Sequence, residues 1–367
     1  MHIAVYGCGQ LAQMMIQAAK PLGHTASFIR EDGEDTVCVQ DLGTIVLRSD
    51  LVSDEALRAF LADVDVMTVE KEQVNLDFLR RCAKYVTVHP NPDAVEICGD
   101  RWKEKSTLRA LDIPVTDFFD YANPPAEPTH SPLGYIAKSC RDGYDGKHQH
   151  RVKTWDELAQ LPLQGVAVGE WIVEAMVPFD FEFSVIGCRD QAGNIAMYSA
   201  IENEHVSGIL RRSVTPSKRI PVDLRLEAET YLSRLLDHWH YVGVLTMECF
   251  AVHGRMMVNE LAPRVHNSGH WSMLNTAASQ FENHMRCVTG MTVTNPTYQG
   301  VRGMLNLVGS DDIPAMAHNH PSIAVHLYGK SVRPGRKVGH INVQSDDPMV
   351  VHQLLDQLEA AVYKAEV

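Results

Sequence analysis

Glu248 and Glu260 occupy mirrored positions in VLTMECFAVHGRMMVNELAPR. If the chain reverses at Gly254, each lies six residues from the bend and the two carboxylates face one another across a hairpin. Like charges placed opposite one another repel, and one acid of such a pair keeps its proton unless a cation sits between them. A hard divalent ion resolves the conflict. Magnesium fits, because it takes one or two carboxylates and completes its shell with water and phosphate oxygens. The alternative is a pair of solvated glutamates at strand ends, which their apolar neighbours disfavour. The second strand then runs into NELAPRVHNSGHW, residues 259–271, where Asn259, Glu260, Arg264, His266, Asn267, Ser268 and His270 crowd around one Pro and one Gly. A buried strand has no structural use for so many polar groups at its exit.

Upstream, IAKSCRDGYDGKHQH, residues 136–150, leads a strand bearing Lys138 into a turn where Gly143 and Gly146 free the backbone to approach a ligand. Lys138 and Lys147 would bring positive charge to phosphate oxygens; a surface hairpin with solvated lysines is the plain alternative. The G-x-x-x-x-G-K-[ST] spacing is lacking, which excludes a Walker-type loop. In EWIVEAMVPFDFEFSVIG, Glu174 ends an apolar run and Glu182 follows in an alternating strand. Each could accept a hydrogen bond from a nucleotide's ribose or base, or face solvent. GCGQLA, residues 7–12, matches G-x-G-x-x-A between a strand and a helix, with Glu31 after the second strand. That is the dinucleotide fingerprint, although any tight strand-to-helix crossover needs the same glycines.

The elements that must position these residues follow from periodicity. HIAVYG, LAQMMIQAAKPLG, TASFIR, SDEALRAFLADV, DVMTVE, LDFLRRCAK and YVTVHP alternate strand and helix, with Gly23 as a helix stop. The expectation is a parallel sheet with helices on both faces. This Rossmann-like unit spans residues 1–92. PDAVEICGDRWKEKSTLRALD is expected as one helix leading to a Pro-rich connector, and the strands of an α+β domain fill the remainder of 93–295. Residues 296–367, with the strands GMLNLVG, AVHLYG and GHINVQ around a basic turn and a closing helix from Asp347, read as a small third unit.

The bulk numbers restrict the class of partner. A chain of 367 residues exceeds one ordinary core. A formal net charge of -13 argues against nucleic-acid or anionic-membrane binding, so a phosphate-bearing ligand must be met by local basic clusters. No apolar run approaches a membrane span and Met1 leads straight into a strand, so a cytoplasmic protein is expected. The 8 cysteines form no C-x-x-C pair and read as reduced, mostly buried thiols; the 18 histidines show no zinc-type spacing.

GYDGK, EFSVIG, GILRRS, YVGVLTMECF, NELAPRVHNSGHW, SQFENH and RPGRKVGHIN, in that order along nearly the whole chain, resemble the blocks of the ATP-grasp superfamily. Within it they resemble the 5-(carboxyamino)imidazole ribonucleotide synthase family of purine biosynthesis. The resemblance implies an ATP-grasp fold with an N-terminal pre-ATP-grasp domain and a small C-terminal domain, assembled as a homodimer. It implies ATP held near Arg101 and Lys138, under a loop of Gly143, Tyr144, Asp145, Gly146, Lys147, His148 and Gln149. Glu174, Ala175, Met176 and Val177 would follow the adenine, Glu182 the ribose, and His205 would lie nearby. Glu248 and Glu260 would hold magnesium beside Asn259. Asp145 and Lys147 would face aminoimidazole ribonucleotide, with its 5′-phosphate gripped by Lys330, Arg333, Arg336 and Lys337. Where the family has Gly-Gly-Tyr-Asp-Gly-Lys-Gly, this chain has Asp142 first and His148 last, which bears on lid closure.

The implied chemistry is attack of bicarbonate on the γ-phosphorus of ATP, giving carboxyphosphate and ADP. Carbamate formation at the ribonucleotide amine follows, with Asp145 handling its proton and Arg264, His266, Asn267 and Ser268 forming an anion pocket. Carboxyphosphate is labile in water, so a closing lid is required. His270 and Trp271 would either act with the pocket or buttress it. The rivals are a Rossmann oxidoreductase using GCGQLA, another ATP-grasp ligase forming an amide, and a nucleotide-binding regulator without turnover.

Overall fold

The computed structural model describes residues 1–126, 131–141, 149–163 and 165–363. Among these residues the chain builds three sheets. The first is parallel, with β1 (His2–Tyr6), β2 (Thr25–Arg30), β3 (Thr44–Leu47), β4 (Val66–Val69) and β5 (Thr87–Val88) in the order β3-β2-β1-β4-β5. The central strand β1 splits its side chains by alternation. Ile3 and Val5 join the core with Met14, Met15 and Ile16 of α1 (Gln10–Ala19), while Ala4 and Tyr6 face Leu57, Leu61, Phe78 and Leu79 of α2 (Asp54–Leu61) and α3 (Leu76–Cys82). Both faces are therefore covered, as a parallel sheet requires. Gly23 ends the first helical stretch in the left-handed region at φ 82°. β3, on the sheet edge, was not anticipated; its short TIVL run carries no flanking alternation.

The single helix expected after Pro92 is two. α4 (Pro92–Cys98) is capped by Asn91 and ends at Gly99, and Asp100 starts α5 (Arg101–Ala110) by accepting from the backbone N–H groups of Trp102 and Lys103. Asp in this role competes with helix continuation, because its carboxylate satisfies donors that only a helix start leaves free.

The second sheet is a small antiparallel lobe of β6 (Phe118–Asp120), β7 (Tyr135–Ser139), β8 (Gln149–Val152) and β9 (Trp171–Ala175), ordered β6-β9-β7-β8, with α6 (Trp155–Ala159) against it. The third sheet contains β10 (Phe181–Arg189), β11 (Ile195–Met197), β12 (Ile201–Val206), β13 (Ile209–Thr215), β14 (Gly243–Val252), β15 (Arg255–Ala262), β16 (Val301–Val308), β17 (Ile323–Leu327) and β18 (Lys337–Ser345). Its order is β15-β14-β10-β12-β13-β16-β18-β17, with β11 on β10. β16 pairs with β13, so the C-terminal strands extend this sheet directly. α7 (Val222–His238), α8 (Gln280–Val288) and α9 (Pro348–Val362) pack on it, the last capped by Asp347. His284 of α8 bonds Thr68 Oγ1 of β4 at 2.9 Å and receives Val244 N–H of β14 at 3.1 Å, joining the first and third sheets. All 8 cysteines are free and buried, as expected. Among the described residues no helix is long and apolar enough to cross a membrane.

Candidate active site

The hairpin β14–β15 turns at His253 and Gly254, both with positive φ (49° and 76°), so Val252 pairs with Arg255. A two-residue turn of this kind matches the strand twist. Its register alone would set Glu248 against Asn259. A β-bulge beside Glu248 shifts the ladder by one residue and brings Glu248 opposite Glu260. The expected pairing is thus present, but it depends on the bulge and not on a bend centred at Gly254.

The two acids differ in environment. Glu248 Oε1 lies 3.0 Å from His266 Nε2. Burial would raise its pKa, but the nearby His266, His205 and Lys337 charges outweigh burial and hold it at about 2. The backbone N–H of Ser268 donates to His266 Nδ1 at 3.3 Å, which leaves Nε2 to face Glu248. Ser268 Oγ is 2.9 Å from the same Nδ1 and 2.7 Å from Ser184 Oγ; Asn203 and Ser213 continue this buried chain. Glu260 opens onto the cleft, yet surrounding protein and then the Glu248 charge raise its pKa, against Arg101 and Lys138. Two carboxylates in register, one held ionised and the other pushed toward its proton by the first, fit a shared divalent ion. Among the described residues no group of three or more His, Cys, Asp or Glu is disposed to hold a metal. Magnesium held by two carboxylates completes its shell with water and phosphate oxygens.

Lys138 on β7 and Lys105 on α5 both reach Glu174 on β9, at 2.9 and 3.1 Å, and Thr116 donates to the same carboxylate at 3.0 Å. Glu174 is 2 % exposed. Burial opposes its charge, but the two lysines hold it at about 2. Its side chain thus serves the lysines, and only the backbone from Glu174 to Val177 is left to follow a base. There Ala175 N–H is bonded to Asp117 and Met176 N–H to Gly134, while Val177 leaves the strand. Glu182 Oε2 sits 2.8 Å from His205 Nδ1. Burial would lower the His205 pKa, but this bond and the Glu248 and Glu182 charges raise it. Gln149 opens β8 opposite Lys138. Gly143, Tyr144, Asp145, Gly146, Lys147 and His148, with Asp142, lie outside the described residues.

Arg264 is not an isolated cation: Nη2 donates to Glu72 Oε1 at 3.0 Å and Nε to the other oxygen. Asn267 points two buried amide atoms at no protein partner among the described residues, the mark of a site awaiting a ligand. His270 and Trp271 are each 1 % exposed, with Trp271 against Tyr298 and His270 near Gln280, so both buttress the loop. Gln280 also clasps His266 through its backbone N–H and carbonyl. In the basic turn Lys330 and Arg336 both bear on Asp35, while the other two cations are set apart from them. Lys330 bonds Gln10 at the start of α1, Arg336 bonds Asp35 and Ser331, Lys337 lies toward Glu248 and His205, and Arg333 is exposed. Lys105, Glu104 and Gln10 were not among the expected site residues, although Gln10 lies within GCGQLA. Glu72 belongs to the strand-end acids of MTVEKEQV, a pattern only similar to the family's and too weak to single it out.

The GCGQLA turn is filled from within. Glu70 accepts from Gly9 N–H at 2.6 Å and Leu11 N–H at 3.1 Å, and a Cβ at Gly7 or Gly9 would collide with it. A carboxylate already occupies the helix start that a pyrophosphate would need. Glu31 is bound by Arg48 and Tyr6. The oxidoreductase reading loses its site.

Two lobes carrying lysines, closing on a carboxylate pair beside a Rossmann-like unit, define an ATP-grasp ligase. Sequence profiles agree: the ATP-grasp domain matches residues 106–281, the ribonucleotide synthetase preATP-grasp domain residues 1–99, and the phosphoribosylaminoimidazole carboxylase C-terminal domain residues 303–353. The N5-carboxyaminoimidazole ribonucleotide synthase of Pseudomonas aeruginosa is 36% identical over 99% of both chains. The crystal structure of the Thermus thermophilus synthetase covers 100% of this chain and 99% of its own, with TM-score 0.87 and 33% identity. The Staphylococcus aureus synthetase complexed with ADP matches at TM-score 0.83 and 27% identity, over 97% and 96%. The chain belongs to the N5-carboxyaminoimidazole ribonucleotide synthase family.

Proposed function

We propose that this protein uses ATP and bicarbonate to carboxylate 5-aminoimidazole ribonucleotide at its amine, by way of carboxyphosphate, in purine biosynthesis. The observation that carries the reading is the in-register pair Glu248 and Glu260, set where Arg101 and Lys138 also bear on Glu260. Magnesium held by these carboxylates supplies charge neutralisation at the nucleotide phosphates. Lys138, held in place by Glu174, orients the same phosphates. Glu182 and His205 meet the ribose, and the backbone from Glu174 to Val177 meets the base. His266 keeps Glu248 aligned through Nε2, and Arg264 with Asn267 receives bicarbonate and then the transferred phosphoryl group. Lys330, Arg333, Arg336 and Lys337 are assigned to the ribonucleotide's 5′-phosphate by likeness, Lys330 and Arg336 from beside Gln10 and Asp35 and Lys337 from beside Glu248 and His205. Asp145 and Lys147, outside the described residues, are assigned to the amine and the phosphates by likeness.

The division into residues 1–92, 93–295 and 296–367, a cytoplasmic location and a homodimeric state belong to the same proposal. Gel filtration with light scattering tests the last. The activity is tested by phosphate release from ATP with magnesium, bicarbonate and aminoimidazole ribonucleotide supplied or omitted in turn. Release is expected to reach its full rate only with all three. Full release with an amino acid in place of the ribonucleotide would favour a different ATP-grasp ligase.

A further inference from the structure

β15 is an edge strand of the third sheet, and among the described residues the backbone groups on its outer side meet no strand beyond an isolated bridge from Val115 to Val258. Such groups need other partners. α5 and the segment after it supply them. Val258 N–H donates to Pro114 O at 2.7 Å, the Asn259 carbonyl accepts from Lys105 Nζ at 2.9 Å, and Leu261 N–H donates to Glu104 Oε2 at 2.9 Å. The last two contacts fall on either side of Glu260, within the stretch where the bulge changes the register. Glu104 and Lys105 are 2 % and 1 % exposed. Charged side chains are rarely so deep without a task. Lys105 also holds Glu174 at 3.1 Å, so one ammonium ties the small lobe to the bulge.

We infer that Glu104 and Lys105 are positioning residues that pin the backbone on both sides of Glu260, fixing the register in which it opposes Glu248. They touch neither reactant. Their effect passes through the place where the Glu260 carboxylate is held, and the inference rests on Glu248 and Glu260 being the metal carboxylates. Without the Lys105 donor or the Glu104 acceptor, the bulge loses its outer contacts and the two acids lose their common geometry.

The test is a titration of the full-length protein, in the presence of ADP, with Mn2+ as the probe. Binding is read from the paramagnetic signal of the free ion, alongside each variant's thermal midpoint. Lys105→Met and Glu104→Leu are expected to weaken Mn2+ binding by about 10–100-fold, the range usual for the outer partners of metal ligands. Glu104→Gln should stay within about twofold, because its amide oxygen still accepts from Leu261. Val258→Ala, a cavity in the same strand, should lower the thermal midpoint and leave Mn2+ affinity in place. Wild-type affinity in Lys105→Met and Glu104→Leu would overturn the inference. So would an equal loss in Val258→Ala, since general loosening would then explain everything. If either polar variant fails to fold, Glu104→Asp, which retracts the acceptor by one methylene, should still weaken binding several-fold; unchanged binding there overturns the inference too. Glu260→Gln separates the two levels. If it binds Mn2+ like wild type, the metal assignment itself is wrong; if it loses Mn2+ while Lys105→Met does not, only the positioning role fails.

Discussion

At the residue scale, unlike pKa shifts in neighbouring acids divide the labour of the site. Glu248 is held near 2 by His266 and its neighbours, while Glu260, exposed at the cleft, is raised by the protein around it and by the Glu248 charge, so a shared cation is most needed at Glu260. Glu260→Gln keeps the shape and hydrogen-bonding capacity but not the charge. It is expected to fold like the parent and to lose phosphate release by about 100-fold or more, the scale of removing one preorganised electrostatic group; unchanged turnover would remove Glu260 from the metal site. Glu174 gives a pH prediction. Its carboxyl is depressed from an ordinary 4.5 to about 2, so the stability it contributes is complete above about pH 4.5 and is lost as pH falls toward 2. Glu174→Gln leaves Lys105 and Lys138 without their counter-charge and should cost about 3–5 kcal/mol at neutral pH. Denaturant melts of both proteins should show this gap shrinking between pH 4.5 and 2, whereas a gap constant with pH would contradict the ion cluster.

At the element scale, local punctuation decides how far the sequence can be read. The break between α4 and α5 is made by Asp100, which caps α5 and also takes Arg141 at 2.9 Å, just before the glycine-rich loop. Asp100→Ala should cost ~1 kcal/mol from the cap, read as a fall in thermal midpoint. The same Asp could be seen in the sequence but not its use, because an amphipathic run on both sides hides a cap. The hairpin shows the opposite case. Counting from a glycine finds Glu248 and Glu260 as partners, yet the count succeeds because a one-residue bulge compensates a two-residue turn that is one residue shorter than a turn centred on Gly254. Bulges leave no clear signal in alternation when the bulged residue, here Asn259, is itself polar and stands next to the polar Glu260. Nothing in the sequence marks Glu104 and Lys105, because their use arises only where α5 covers an edge strand.

At the scale of the whole molecule, what the sequence hides is contact between distant segments. Glu70 fills the GCGQLA turn from 61 residues away, which is why a fingerprint that scans as a dinucleotide site is a sealed crossover. Lys330 meets Gln10 and Arg336 meets Asp35, each across about 300 positions, so the basic turn is laid against the N-terminal unit. The alternation of the first unit, the lysine-bearing strand, the hairpin and the C-terminal strands were all legible, because each is fixed by local periodicity. The walls between units were not. In the proposed function these walls keep water from a labile acyl phosphate until it meets an amine. The most direct measurement is carbon-13 NMR of labelled bicarbonate incubated with the protein, magnesium, ATP and aminoimidazole ribonucleotide. A carbamate carbon should appear on the ribonucleotide amine in step with ADP, one for one, and ADP formed with no labelled carbon ever joined to the ribonucleotide would contradict the account.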